Sequence, residues 1–180
     1  MASTANTMQQ LKAKNVSNRL TTVLFVIYLI ALYWILLLKL GVRFSYMRER
    51  RMNIVPFREP VIFTSENILN VAIFVPLGIY VIILFEQWSF SRKLFFVFFL
   101  SLLVETLQYI LRVGAFDVTD IITNTLGGII GLIIFKALEK AFSNHVKAQK
   151  FVNKIAVTGT ILIILLLVLL KMNMLPVRYR

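Results

Sequence analysis

Residues 102–131 read LLVETLQYILRVGAFDVTDIITNTLGGIIG, and the rest of the chain is organised around them. Two segments apolar enough for a bilayer flank a short polar turn, yet together they carry Glu105, Gln108, Arg112, Asp117, Asp120 and Asn124. An ionisable group in hydrocarbon costs roughly 2.5–3.5 kcal/mol on insertion scales, so such residues are paired or functional. Glu105, Gln108 and Arg112 share one helical stripe, and Asp117, Asp120, Asn124, Gly127 and Gly131 share another. Gly114 is placed to end the first helix as a left-handed cap, and Asp117 to cap the second. The expectation is a tight hairpin of spans 91–113 and 117–138 with the two stripes facing. By helical rise, Glu105 lies about 13 Å below the turn, deeper than the Arg112, Asp117 and Asp120 pairs at its rim.

Working outward, the apolar pattern continues on both sides. Of 180 residues, 59% are hydrophobic, and the mean hydropathy is +0.82. A soluble domain has about 45–50% apolar residues, and runs of eighteen or more indicate membrane helices. Further spans are expected at 20–38, 66–85 and 155–170, which makes five in all. The fold class is thus all-α, a polytopic integral membrane protein. A basic tail, 1–19, precedes the first span, and no small-residue cleavage pattern follows it, so the span reads as an uncleaved anchor. A long connector, 39–65, carries the basic cluster RFSYMRERR and then NIVPF (53–57). Those arginines suit an interfacial segment holding anionic phospholipid. A lysine-rich connector, 139–154, holds His145, the only histidine, read as a solvated loop residue away from the polar stripes. A short basic tail follows the fifth span.

The net charge of +12 would suggest nucleic acid in a soluble protein, but here the basic residues flank apolar runs, so no nucleic acid is expected. The chain has no cysteine and therefore no disulfide or thiolate ligand. Lys and Arg divide evenly between the two faces, so the positive-inside rule does not orient the chain.

On the second span, Asn67, Asn70, Phe74 and Gly78 share a face, Thr64 or Ser65 can cap it, and Pro76 should kink it. Chain direction puts Asn67 and Asn70 beside Glu105 and Asp120. The outcome is a polar cleft floored by Glu105, lined by Gln108 and the asparagines, and covered by NIVPF. Gly127, Gly128 and Gly131 have the spacing of close helix packing. Two chemistries suit the set. Glu105, Asp117 and Asp120 can hold a hard cation, Mg2+ or Ca2+. Alternatively, Glu105 acts as general acid or base while Arg112 grips a phosphate. In that scheme Glu105, Arg112, Asp120 and Asn124 are the catalytic candidates. Asn53, Pro56, Asn67, Asn70, Gln108 and Asp117 are the ligand-binding candidates, and Pro76, Gly78, Gly114, Gly127 and Gly131 are structural.

The motifs NIVPF, N-x2-N-x3-F-x-P-x-G (67–78), E-x2-Q-x3-R (105–112) and D-x2-D-x3-N-x2-G (117–127), in this order, resemble the VanZ-like family. The resemblance covers 20–138, and the matching positions are Pro56, Asn70, Pro76, Gly78, Glu105, Gln108, Arg112, Asp120, Asn124 and Gly127. It implies a multi-pass protein of the bacterial cell membrane with a part in resistance to teicoplanin-type lipoglycopeptides in Gram-positive bacteria. It settles no mechanism. An enzyme modifying a lipid-linked envelope component and a non-catalytic module binding lipid, lipoglycopeptide, cell-wall precursor or partner protein stand side by side. A small transporter is disfavoured by the lack of an inverted repeat. Such drugs act outside the cell, which implies a cleft on the outer face, a cytoplasmic N-terminus and an external C-terminus.

Overall fold

The computed structural model describes residues 2–38, 49–57 and 64–171. The basic cluster from Arg43 lies outside them except for Glu49, Arg50 and Arg51, as does the C-terminal tail. The described chain is five helices, α1 (Ala2–Leu38), α2 (Ser65–Leu84), α3 (Phe90–Leu111), α4 (Val118–Phe142) and α5 (His145–Lys171). Two two-residue strands, β1 (Met52–Asn53) and β2 (Phe116–Asp117), complete it. Each helix contains a stretch long and apolar enough to cross a membrane. The protein is an all-α multi-pass membrane protein, since in hydrocarbon only a helix or closed barrel satisfies its own backbone.

The helix ends follow their sequence. Thr64 caps α2, its side chain accepting from the Asn67 amide, and Asp117 caps α4 by accepting from the Thr119 amide. Gly114 is not the left-handed cap expected of it. Arg112 takes that conformation, with φ 58°, and the Val113 amide donates back to the Gln108 carbonyl at 3.0 Å. This is the six-to-one bond of a Schellman end. Gly114 instead leaves room for Gln108, whose Cδ would lie 3.2 Å from a Cβ at that position. α2 runs as helix through Pro76. One residue past the carbonyl that proline leaves without a donor, the Ile73 carbonyl accepts from the Tyr28 hydroxyl at 2.8 Å.

The expected connector at 139–154 is helix nearly throughout, interrupted only at Ser143 and Asn144. Its lysines explain the misreading. Lys147, Lys150 and Lys154 form an exposed stripe on α5, while Ala148, Gln149, Val152 and Asn153 form a buried one. The buried stripe meets α1, where Gln149 Nε2 donates to Asn18 Oδ1 and Thr21 Oγ1, at 2.9 and 2.8 Å. Asn153 Nδ2 donates to the Ser17 carbonyl. His145 is likewise not a solvated loop residue. It starts α5, with Nδ1 2.8 Å from Glu139 Oε1 and its ring edge-on to Phe135.

The closest helix pair is α2 with α4, and glycine makes it possible. A Cβ on Gly78 would lie 2.0 Å from the Gly128 carbonyl oxygen. On Gly127 and Gly131 it would lie 2.2 and 2.1 Å from the Val71 and Val75 oxygens. The two backbones are therefore in direct contact, as small-residue packing allows. α3 lies on α4 with Val97 against Gly128. An apolar core of Phe74, Leu77, Val81 and Val97 joins α2 to α3 and, through Leu24 and Leu32, to α1.

Candidate functional site

Alternating chain direction brings the end of α1, both strands, the start of α2, the end of α3 and the start of α4 to one membrane face. Residues 112–117 do not form a tight turn there. They run back along α3, and β2 pairs in parallel with β1, Met52 opposite Phe116 and Asn53 opposite Asp117. The Phe116 amide donates to the Arg51 carbonyl at 3.0 Å. This returning segment carries the Asp117 amide down to Glu105, where it donates to Oε2 at 3.1 Å. Glu105 is 2% exposed. Asp117, expected at the rim, thus sits level with Glu105. The positive end of the α4 dipole faces three carboxylates, Asp117, Asp120 and Glu105.

The neighbouring polar residues are tied in from three elements. Asn53 Nδ2 donates to Asp117 Oδ2 at 2.9 Å, which fixes the strap 49–57 to the start of α4. The Phe57 amide donates to Thr119 Oγ1 at 3.1 Å, and Phe57 holds φ at 52°, uncommon for a bulky residue. Pro56 lies in the exposed turn between these two anchors. From α2, Asn70 Nδ2 donates to Asp120 Oδ1 at 2.8 Å. One turn deeper, Asn124 Nδ2 donates to Ser101 Oγ at 3.1 Å, and both residues are buried. Two buried acceptors in this region, Asn53 Oδ1 and Asn124 Oδ1, have no hydrogen-bond partner among the described residues. The arrangement is rich in acceptors, and such oxygens are costly to leave unmet, so it suits a ligand that brings donors.

Of the residues expected at the site, Asn53, Asp117 and Glu105 are joined by hydrogen bonds, Asn70 is bonded to Asp120, and Asn124 is bonded to Ser101. Gln108 points elsewhere, donating to the Leu36 carbonyl of α1 at 3.0 Å. Arg112 is exposed, and among the described residues it makes no ion pair with Asp117 or Asp120. Asn67 is in the first turn of α2 with its amide on Thr64. Gly78, Gly127 and Gly131 lie where the α2 and α4 backbones touch. Among the described residues, no three His, Cys, Asp or Glu side chains are gathered as metal ligands. Three contributors escaped the sequence reading. Thr119 and Ser101 look like ordinary helix hydroxyls, and Tyr109, beneath the Arg50 guanidinium at 5.7 Å, looks like an interfacial aromatic. Only Thr119, in the first turn of α4 two residues past the Asp117 cap, carried a usable signal.

The model of the VanZ/LLP1 family matches residues 25–139. The chain is 38% identical over 149 residues to Protein VanZ of Enterococcus faecium, across 81% of this chain and 89% of that one. No solved structure matches the chain. Every residue of the linked polar set falls inside the matched segment.

Proposed function

This chain belongs to the VanZ/LLP1 family, and from that membership we propose that it modulates resistance to teicoplanin-type lipoglycopeptide antibiotics. It does so by binding a lipid-linked envelope component, or the acylated drug itself, through the acceptor-rich site at the strap end of the bundle. One observation carries the reading: Glu105, 2% exposed inside a membrane bundle, accepts only a backbone amide among the described residues. A fold needing no ligand would avoid an intramembrane carboxylate without a basic partner. On this proposal the strap end faces outward, where the drug and its target are, and the N-terminus is cytoplasmic.

The test uses purified protein in lipid nanodiscs with teicoplanin and with an undecaprenyl-linked cell-wall precursor, each with and without Mg2+ or Ca2+. Saturable binding of either ligand, weakened at least tenfold by Glu105→Gln, is the expected outcome. Absence of saturable binding by both would sink the proposal.

A second reading makes the same site catalytic, with Glu105 as proton donor or acceptor to a lipid-linked substrate. The burial of the carboxyl group beside a fixed backbone donor favours it, since such groups serve acid–base chemistry. Mass spectrometry of the precursor after incubation separates the two: a changed mass supports catalysis, and an unchanged precursor that still binds supports the first reading.

A further inference from the structure

The opposite face carries a feature the polar site does not use. At the start of α3 an open groove of about 450 Å³ is lined by Trp88, Ser91, Arg92, Phe95, Phe96 and Phe99. We infer that it is a binding site for an anionic glycerophospholipid, with the phosphate on the Arg92 guanidinium and one acyl chain along Phe95, Phe96 and Phe99.

Three observations converge on that occupant. The first is charge. Arg92 is exposed and makes no ion pair among the described residues, whereas the adjacent Lys93 is buried with Nζ bonded to the Glu86 and Trp88 carbonyls. A guanidinium presents a donor fork that matches phosphate. The second is depth. Arg92 lies in the first turn of α3, and Phe99 lies seven residues on, about 10 Å deeper by helical rise. That spans two-thirds of one leaflet of a ~30 Å hydrocarbon core, which suits a single acyl chain hanging from an interfacial headgroup. The third is rigidity. Trp88 stacks on Phe85 with ring centres 4.2 Å apart and meets Phe96 edge-on at 5.8 Å. Lys93 pins the Glu86 and Trp88 carbonyls, so the upper wall stands preformed. Phe95 and Phe99 stack at 6.4 Å, both well exposed, and supply a flat apolar wall below. A preformed groove loses little side-chain freedom on binding.

The chain has two tryptophans, so Trp34→Phe leaves Trp88 as the reporter. The variant is reconstituted with phosphatidylglycerol or phosphatidylcholine brominated on the upper acyl chain, and quenching of Trp88 is read against mole fraction. Phosphatidylglycerol should reach half-quenching at about one-fifth the mole fraction of phosphatidylcholine, the size expected of one basic side chain near an anionic headgroup. Arg92→Gln should bring the two lipids within about twofold, while Lys140→Gln, an exposed charge at the same face, should leave the preference intact. Equal quenching by both lipids, a preference that survives Arg92→Gln, or one lost equally with Lys140→Gln would overturn the assignment. Native mass spectrometry of the otherwise unmodified chain and its Arg92→Gln variant gives an independent reading: phosphatidylglycerol retained on the first and lost from the second supports the site, and equal retention refutes it.

Discussion

Glu105 accepts the amide proton of the residue that caps α4, and Asp120, one turn along α4, accepts from Asn70 of α2. These two bonds tie α3 and α2 to the start of α4. Removing one partner of a buried bond leaves the other unmet, which costs about 1–3 kcal/mol. Asn70→Leu should therefore lower unfolding stability by about that much, and Asp120→Leu by a similar amount. The double variant should lose less than the sum, with a coupling of about 0.5–3 kcal/mol. Unfolding in mixed micelles measures all four corners of the cycle, and strict additivity would show that the bond carries no energy. Helical spacing together with chain direction led to the expectation that Glu105, Asp120 and Asn70 share one region. It set Asp117 above Glu105 because it measured depth along α3 from the turn. Nothing in residues 112–117 announces that they return along α3 as strand, for a two-residue pairing leaves no hydrophobic period to read.

Among the elements, the α2–α4 pair decides whether the bundle closes. Gly131→Ala would put a methyl carbon 2.1 Å from the Val75 carbonyl oxygen, and backbone cannot swing aside as a side chain can. Overpacking typically costs 1–3 kcal/mol, so a loss of about 3 kcal/mol is expected. Gly159→Ala has nothing within 4 Å of the new atom, and the better helix propensity of alanine should make it neutral or stabilising by up to about 1 kcal/mol. Unfolding of the two variants side by side checks the contrast, and equal effects would rule out glycine contact as the basis of the pair. The G-x-x-x-G spacing was legible; its partner helix was not, since spacing names a face but no neighbour. The amino-terminal part of α5 was hidden differently. Its three lysines read as a connector, although they occupy one side of a helix whose other side packs on α1.

At the scale of the whole molecule, five helices long and apolar enough to cross a membrane would, if each crosses, put the start of α1 and the end of α5 on opposite sides. They also separate the carboxylate site from the aromatic groove. Evenly divided basic residues give no orientation from sequence, but the absence of native cysteine makes orientation measurable. Single cysteines at Val55, Ala115 and Lys147 should be labelled by an impermeant reagent from outside intact cells at the first two positions, and at Lys147 only after permeabilisation. The reverse pattern would place the strap in the cytoplasm and end any direct contact with an external drug. The most direct measurement of the central claim is drug susceptibility with Glu105→Gln, which keeps an acceptor for the Asp117 amide while removing the carboxylate. With equal amounts of protein in the membrane, the original chain should raise the inhibitory concentration of teicoplanin but not that of a glycopeptide lacking the acyl tail. The Glu105→Gln variant should return teicoplanin to the level of cells without the protein, whereas full resistance in that variant would contradict the assignment of function to this site.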